Sequence, residues 1–92
     1  MITVIWHPSA EHDLAEIVDY IALDNMEAAQ SLARYIVNST HESLTDSPHV
    51  GRPGRVEGTR ELVVHKNYIV IYEVMSEVVN VLNIVHAARL YP

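Results

Sequence analysis

The sequence predicts an α+β protein in which a helical hairpin packs on one face of an antiparallel sheet, in the order β-α-α-β-β-β. Three observations support this prediction. Apolar residues recur at helical spacing across residues 8–47, Val, Ile and Tyr dominate residues 59–86, and all three glycines lie between these halves. Glycine is favoured where a chain turns tightly, so residues 51–61 are expected to connect the helical half to the strands.

The first half predicts one short strand followed by two helices. Residues 2–6 are mostly β-branched or aromatic, which predicts a strand. Ser9 is the expected N-cap of the first helix, which is expected to end near Leu23. Asp24 begins a sequence that resembles a capping box for the second helix, and Ser47-Pro48 ends that helix. The short connection between the helices predicts an antiparallel hairpin.

The second half predicts three strands joined by two tight hairpins. The strands are expected at residues 59–65, 68–75 and 78–86, with the two-residue separators Lys66-Asn67 and Ser76-Glu77 between them. The middle and last strands are apolar on both faces for much of their length. Because strands of this kind are usually covered on both faces, the face of the sheet opposite the helices is a candidate partner surface.

Composition limits the class of protein. The 92 residues are 49% hydrophobic, which suffices for a small core, and residues 1–92 are interpreted as a single domain. Cysteine is absent, which excludes disulfides and thiolate metal sites. The N-terminal segment lacks the basic start of a signal peptide, and no apolar run approaches the ~20 residues of a membrane span. A cytoplasmic location without a membrane partner is therefore expected.

The net charge of −6 is unevenly distributed. Residues 1–50 carry eight acidic side chains and one basic side chain, Arg34, for a sum of −7. Residues 51–92 carry four acidic and five basic side chains, for a sum of +1. The overall sign argues against non-specific nucleic-acid binding by the whole surface, while the cationic groups gather around the glycine-rich segment and the strands.

The motifs of common enzyme classes are absent from the sequence. Its six histidines have no ligand spacing, and it has no Ser-His-Asp arrangement, phosphate-binding loop or dinucleotide fingerprint. Neither a metal nor another cofactor is therefore expected. His86, at the end of the last predicted strand, is interpreted as a histidine bonded to backbone rather than as a catalytic group.

The arginines are the remaining candidates for function. Arg52, Arg55 and Arg60 lie within residues 51–61, and Arg89 lies near the C-terminus. A guanidinium group binds phosphate or carboxylate groups bidentately, so these side chains suit a phosphate or an acidic partner surface. The residues alone do not decide between such a binding role and a structural one.

The structural alternative pairs Arg60 with Glu61 or Glu73 and leaves the other arginines of the segment in solvent. Strand register adds a constraint, since Arg60 begins one strand and His86 ends another that runs in the same direction. An offset of about six residues at ~3.3 Å each separates them by about 20 Å. Two groups that act on one bond must both reach it, so these two residues are not expected to share an active site.

Three parts of the sequence form a specific conjunction of motifs: residues 51–62, the pair Tyr68 and Tyr72, and residues 85–92. Together with the helical hairpin they resemble the RelE/ParE superfamily of small toxins, and the resemblance covers essentially the whole chain. It implies the growth-inhibiting toxin of a type II toxin–antitoxin pair, of the kind associated with plasmid stabilization. A cognate antitoxin is expected to fold against the hairpin and the sheet. That antitoxin would be the DNA-binding component, so that this chain meets DNA only through it.

The superfamily divides by mechanism. RelE-like members cleave mRNA in the ribosomal A site, whereas ParE-like members poison DNA gyrase. Nuclease members often carry arginine where this sequence has Val64 and Ile69, and the histidine that some of them carry near the C-terminus falls on Leu90. Cleavage of RNA needs a proton acceptor, a proton donor and cationic stabilisation. The resemblance therefore favours a ParE-like inhibitor of gyrase and of DNA replication.

The alternatives assign different roles to the same side chains. In the gyrase inhibitor, Arg52, Arg55, Arg60 and Arg89 are expected to bind the target, and no residue is expected to be catalytic. In the RelE-like endonuclease, Arg60, Arg89 and Tyr91 are the candidate catalytic groups, and the partners are the ribosome and mRNA. A third alternative is a degenerate toxin that binds its antitoxin but has lost activity.

Overall fold

Two helices pack on one face of a sheet in the structure, a computed structural model that describes residues 1–90, with side chains to residue 88. Within these residues the elements are β1 (Thr3–Trp6), α1 (Pro8–Ala22), α2 (Met26–Asp46), β2 (Arg52–Pro53), β3 (Arg60–His65), β4 (Tyr68–Met75), β5 (Val78–His86) and α3 (Ala87–Leu90). The predicted α+β class is confirmed. The bounds of β4 and β5 are those expected from the sequence.

The sheet has the strand order β1-β5-β4-β3-β2. The strands β3, β4 and β5 form the predicted antiparallel meander. The sheet is mixed rather than wholly antiparallel, because the edge strand β1 pairs with β5 in the parallel direction. Most of the chain lies between these two strands, and local alternation of side chains does not specify such a long-range pairing.

The first helix begins one residue before the predicted cap. Pro8 occupies its first turn, and His7 is the N-cap. Proline suits this position because its ring presets a helical φ, and an N–H is not required there. The prediction that Ser9 caps the helix is therefore wrong. Its hydroxyl instead donates to the carbonyl of Leu82 in β5, at 2.6 Å.

The second helix is capped by Asn25 rather than by the predicted Asp24. The Asn25 side-chain carbonyl accepts the N–H of Ala28 at 3.0 Å, which satisfies one of the open donors of the first turn. The helix ends at Asp46 with Ser47 as its C-cap, which agrees with the predicted stop at Ser47-Pro48. Within the described part of the chain, no helix combines the length and the apolar character needed to cross a membrane.

The core lies between the helices and the sheet. Its fully buried side chains come from all the larger elements, and they include Ala10, Ile36, Leu44, Val70, Tyr72, Val79 and Val81. Successive residues of a strand point to opposite faces, so Ile69 points away from this core, yet it is only 1% exposed. The middle strand is therefore buried on both faces at this point.

The outer edge of β5 extends beyond its short partner β1. Their last pair is Trp6 with Val81. Past this pair, the Asp13 carboxylate of α1 accepts the backbone N–H of Ile84 and the side-chain amide of Asn83, both at 3.0 Å. An open strand edge offers unpaired backbone groups to other chains. The first helix thus covers part of that edge.

Candidate target-binding loop

The segment that joins α2 to β3 is here called the arginine loop and comprises residues 51–61. The sequence predicts no strand at residues 51–58 of this segment, but the segment contains the edge strand β2. Arg52 and Pro53 of that strand pair antiparallel with Glu61 and Arg60. The loop is therefore a hairpin that extends the sheet by one strand.

The tip of the arginine loop is a tight turn from Val56 to Thr59. The Thr59 N–H donates to the carbonyl of Val56 at 3.0 Å, and the Thr59 hydroxyl donates to the same oxygen at 2.6 Å. Gly58 has a φ of 87°, the positive value that a type II turn requires at its third residue. Arg55 directly precedes this turn and is exposed. The tip therefore holds a cationic residue at the surface.

Two side chains from the sheet hold the base of the arginine loop. The hydroxyl of Tyr72 accepts the N–H of Gly51 at 2.9 Å. Arg60 Nη1 donates to the carbonyl of Gly51 at 2.7 Å and to that of His49 at 3.2 Å. A Cβ atom on Gly51 would lie 2.7 Å from both the Tyr72 hydroxyl and the Glu61 carbonyl oxygen. Only glycine fits this close approach without a shift of its neighbours.

The side chain of Tyr72 is buried. Burial raises the pKa of its hydroxyl above the ordinary value of 10.0. The N–H of Gly51 and the charge of Arg60 act in the opposite direction, with smaller effects. The hydroxyl is therefore protonated at neutral pH.

Arg52 is paired with a buried carboxylate. Its Nε donates to Glu61 Oε1 at 2.9 Å, and the side chain of Glu61 is 3% exposed, against 47% for Arg52. Glu73 accepts instead from the amide of Asn80, at 3.1 Å. The structural alternative in which Arg60 pairs with Glu61 or Glu73 is therefore not observed. Arg60 instead donates hydrogen bonds to the carbonyls of His49 and Gly51.

The side chains of Val64 in β3 and Ile69 in β4 are apolar. Val64 is 7% exposed and belongs to the core, and Ile69 is 1% exposed. These are the positions where the sequence resemblance places arginines in nucleases. Among the predicted site residues, Arg52, Arg55 and Arg60 come together in the arginine loop.

Two of the predicted site groups, Tyr91 and the side chain of Arg89, lie outside the described residues. Within the part of the chain that is described, no cluster of three or more His, Cys, Asp or Glu side chains is arranged to hold a metal ion. Among the predicted site residues, the described candidates are therefore the three arginines of the loop.

A row of aromatic rings lies at the other end of β4. The ring centroids of Tyr35 and His65 are 6.1 Å apart, those of His65 and Tyr68 5.7 Å, and those of Tyr68 and His86 5.3 Å. In each histidine, Nδ1 accepts the backbone N–H of the residue two positions later. This bond places the proton of the neutral ring on Nε2. The prediction that His86 is bonded to backbone is confirmed.

Arg60 and His86 lie at different ends of the sheet. Arg60 pairs with Tyr72, which pairs with Val81, whereas His86 pairs with Tyr68. The five residues from Val81 to His86 span about 16 Å along β5. A register shift between β3 and β4, at Val63 and His65, shortens the expected offset of six residues by one. The predicted separation of Arg60 from His86 is confirmed.

An open groove of about 780 Å³ runs between α1 and the end of β5. Acidic, aromatic and aliphatic side chains line it, including Asp13, Glu16, Ile17, Tyr20, Tyr68 and His86. Tyr20 is 77% exposed. This groove is not among the predicted sites, although Asp13, Glu16 and Tyr20 share one helical face by their spacing of three and four residues. Its chemistry suits a segment with basic and apolar side chains.

Comparison with known proteins gives a consistent result. The family model described as the ParE toxin of the type II toxin–antitoxin system parDE matches residues 4–91. Toxin RelE2 of Caulobacter vibrioides is 38% identical over 90 residues, which are 98% of this chain and 100% of that protein. A chain of the chromosomal ParDE system from P. aeruginosa is 27% identical with a TM-score of 0.81, covering 94% of this chain and 96% of that one.

A second solved structure agrees in fold. In the RelBE2 toxin–antitoxin complex from Mycobacterium tuberculosis, one chain has a TM-score of 0.70 and 22% identity to this chain. The match covers 92% of this chain and 96% of that chain. At this level of identity the likeness concerns the fold alone.

Proposed function

The chain belongs to the family of ParE toxins of type II toxin–antitoxin systems, and on this premise we propose that it inhibits DNA gyrase and so blocks DNA replication. Such a toxin has a cognate antitoxin as its partner. The proposal treats the molecule as a binding protein that acts without catalysis. Its target surface is the arginine loop.

The observation that carries the proposal is the burial of Val64 and Ile69, at 7% and 1% exposure. Cleavage of a phosphodiester needs cationic groups that stabilise the charge of the transition state. Apolar, buried side chains at these two positions supply none. The lack of a cation at these two positions supports a target that is bound rather than cut.

The arginine loop has the properties of a binding surface. Arg55 stands at a tip fixed by a type II turn, and Arg52 is oriented by a buried carboxylate. Guanidinium groups on a rigid backbone bind carboxylates or phosphates with little loss of conformational entropy. We therefore assign the direct contacts with gyrase to Arg52 and Arg55. Arg60 and Arg89 remain predicted contributors.

A gyrase assay with purified protein tests the proposal. We expect the protein to inhibit supercoiling of plasmid DNA and to trap cleaved gyrase–DNA complexes at stoichiometric concentrations, while mRNA on translating ribosomes stays intact. A protein in which Arg52 and Arg55 are both replaced by alanine is the matched control and is expected to be inactive. Unimpaired supercoiling together with ribosome-dependent mRNA cleavage would reverse the assignment.

The second candidate function is a RelE-like, ribosome-dependent mRNA endonuclease that inhibits translation. The relative named Toxin RelE2, at 38% identity across essentially the whole chain, favours this alternative. Its candidate catalytic groups are Arg60, Arg89 and Tyr91. Primer extension on mRNA after induction of the toxin distinguishes the two functions, because only the endonuclease creates new 5′ ends.

We further propose that the antitoxin docks in the groove between α1 and β5. The groove carries Asp13 and Glu16, and the first 50 residues have a net charge of −7. Charge complementarity therefore favours an antitoxin segment that carries Lys or Arg beside apolar residues. Tyr20 and Tyr68 offer apolar surface for that segment, and the segment would fold as it binds.

A further inference from the structure

We infer that Tyr72 and Arg60 are positioning residues that fix the base of the arginine loop and thereby set the place of Arg55 on the target. This inference rests on the proposed function, because it assigns part of the affinity for gyrase to residues that act through the loop. Tyr72 is 0% exposed, so it has no surface with which to touch a target. Any effect of its hydroxyl on binding must pass through the groups that it contacts.

The first step concerns the backbone at Gly51. Its N–H donates to the Tyr72 hydroxyl at 2.9 Å, and its carbonyl accepts from Arg60 Nη1 at 2.7 Å. These two groups belong to the successive peptide planes on either side of one Cα atom. Fixing both planes sets φ and ψ of Gly51, which determine the direction in which the chain enters β2. The two side chains therefore act as one clamp.

The second step concerns the path from this clamp to the tip. Arg52 and Pro53 pair with β3, and the N–H of Gly54 donates to the carbonyl of Thr59 at 2.8 Å. Arg55 follows directly. Backbone pairing thus continues from the clamp to the residue before Arg55, so a change of direction at Gly51 shifts the tip or breaks these bonds.

The third step concerns the cost of losing the clamp. Without the Tyr72 hydroxyl, the N–H of Gly51 is left without its partner in a buried place, which is unfavourable. A loop that samples several directions must be ordered when it binds, and this ordering lowers affinity even though every contact residue is still present. The clamp therefore contributes to affinity by preorganisation.

The variant Tyr72→Phe tests this inference, with Tyr35→Phe as its control. The control makes the same chemical change at Tyr35 of α2, a residue that is 51% exposed and whose ring packs against His65. Two quantities are measured for each protein: the concentration that inhibits gyrase by half, and amide hydrogen exchange along the chain. We expect Tyr72→Phe to raise the inhibitory concentration about tenfold or more and to speed exchange in residues 51–60. Tyr35→Phe is expected to change neither.

A second pair of variants covers the case in which Tyr72→Phe does not fold. Arg60→Gln is expected to weaken inhibition, and Arg60→Lys is expected to restore part of it, because an ammonium group can still donate to the carbonyls of Gly51 and His49. The inhibition by each variant is compared at equal amounts of folded protein. A simple loss of stability would then not make Arg60→Lys a stronger inhibitor than Arg60→Gln.

The outcomes separate the inference from the proposed function. If the unmodified protein leaves gyrase active, the proposed function fails, and exchange in residues 51–60 then decides the inference alone. If the unmodified protein inhibits gyrase and Tyr72→Phe inhibits it equally with unchanged loop exchange, the positioning role is overturned while the function stands.

Discussion

Asp13 of α1 accepts the backbone N–H of Ile84 in β5 at 3.0 Å, across 71 residues of sequence. The same carboxylate oxygen accepts the side-chain amide of Asn83, also at 3.0 Å. One side chain thus joins the first helix to the last strand at the point where β1 no longer pairs with it. These two bonds tie α1 to the last strand, and their loss has a measurable consequence.

Replacing Asp13 by alanine is expected to lower the free energy of unfolding by about 1–3 kcal/mol, because the N–H of Ile84 loses its acceptor in a partly buried place. Asp19→Ala is the control, since Asp19 is an exposed acid on the same helix. Urea denaturation of both variants measures the difference. Equal stability of the two variants would show that the hydrogen bond accepted by Asp13 contributes nothing.

Alkaline pH is expected to destabilise the protein through Tyr72. Burial raises the pKa of this hydroxyl above the ordinary value of 10.0, so the folded state holds the proton more tightly than the unfolded state. The resulting stability is fully present below pH of about 10 and is lost as the pH rises through the pKa of the folded state. Urea midpoints measured from pH ~8 to ~11.5 check this expectation.

The control for the loss of stability at alkaline pH is Tyr72→Phe, which has no hydroxyl to titrate at this position. Its starting stability is expected to be lower, because the N–H of Gly51 loses its partner. Its decline above pH ~10 is expected to be shallower than that of the unmodified protein. Parallel curves for the two proteins would assign the alkaline loss to other groups.

The sequence was sufficient for the features that depend on local periodicity. The bounds of β4 and β5 follow from two-residue separators and runs of β-branched residues, and both were predicted. The parallel pairing of β5 with β1 is not predicted, because β1 lies more than seventy residues earlier in the sequence. The caps of both helices were displaced by one or two residues, to His7 and Asn25, since several neighbouring polar residues were plausible caps.

The candidate site was only partly predictable for the same reason. The glycine and arginine content marks residues 51–61, but which carboxylate pairs with which arginine depends on the pairing of β2 with β3. That pairing sets Arg52 opposite Glu61 and leaves Arg60 to bind the carbonyls of the loop. A buried tyrosine that bonds a glycine N–H across 21 residues has no local signal at all.

Arg55→Ala is expected to reduce inhibition of gyrase about tenfold or more while changing stability by less than about 1 kcal/mol. The reason is that Arg55 is an exposed cation at the tip of a rigid turn. Lys66→Ala is the matched control, because it removes a positive charge from the turn between β3 and β4. Supercoiling assays at several protein concentrations give the inhibitory concentration, and urea denaturation gives the stability.

The same pair of variants distinguishes a specific contact from an effect of net charge. Both changes lower the net charge by one unit. If inhibition depended on a general electrostatic attraction to gyrase or DNA, both variants would inhibit less well by the same amount, and the loss would be larger at low salt. If Arg55 contacts the target directly, only Arg55→Ala loses inhibition. Equal losses for the two variants would remove the arginine loop as the target surface.

Glu16→Lys is expected to weaken binding of the cognate antitoxin by about tenfold or more, because Glu16 lines the groove between α1 and β5 and the predicted antitoxin segment is basic. Asp19→Lys is the control. It makes the same change of two charge units on the same helix, at an exposed residue outside the lining of the groove. The cognate antitoxin is the binding partner in this test, and calorimetry with each toxin variant measures its affinity.

The salt dependence of antitoxin binding, measured with the unmodified toxin and with Glu16→Lys, gives a second test of the docking site. If Glu16 pairs with a basic group of the antitoxin, the unmodified complex weakens as salt rises, and Glu16→Lys shows less of this dependence. If the antitoxin lies elsewhere on the acidic helices, Glu16→Lys and Asp19→Lys lose affinity together, because both then act only through the general field. In that case the groove is not the docking site, although the family relationship and the gyrase proposal are unaffected.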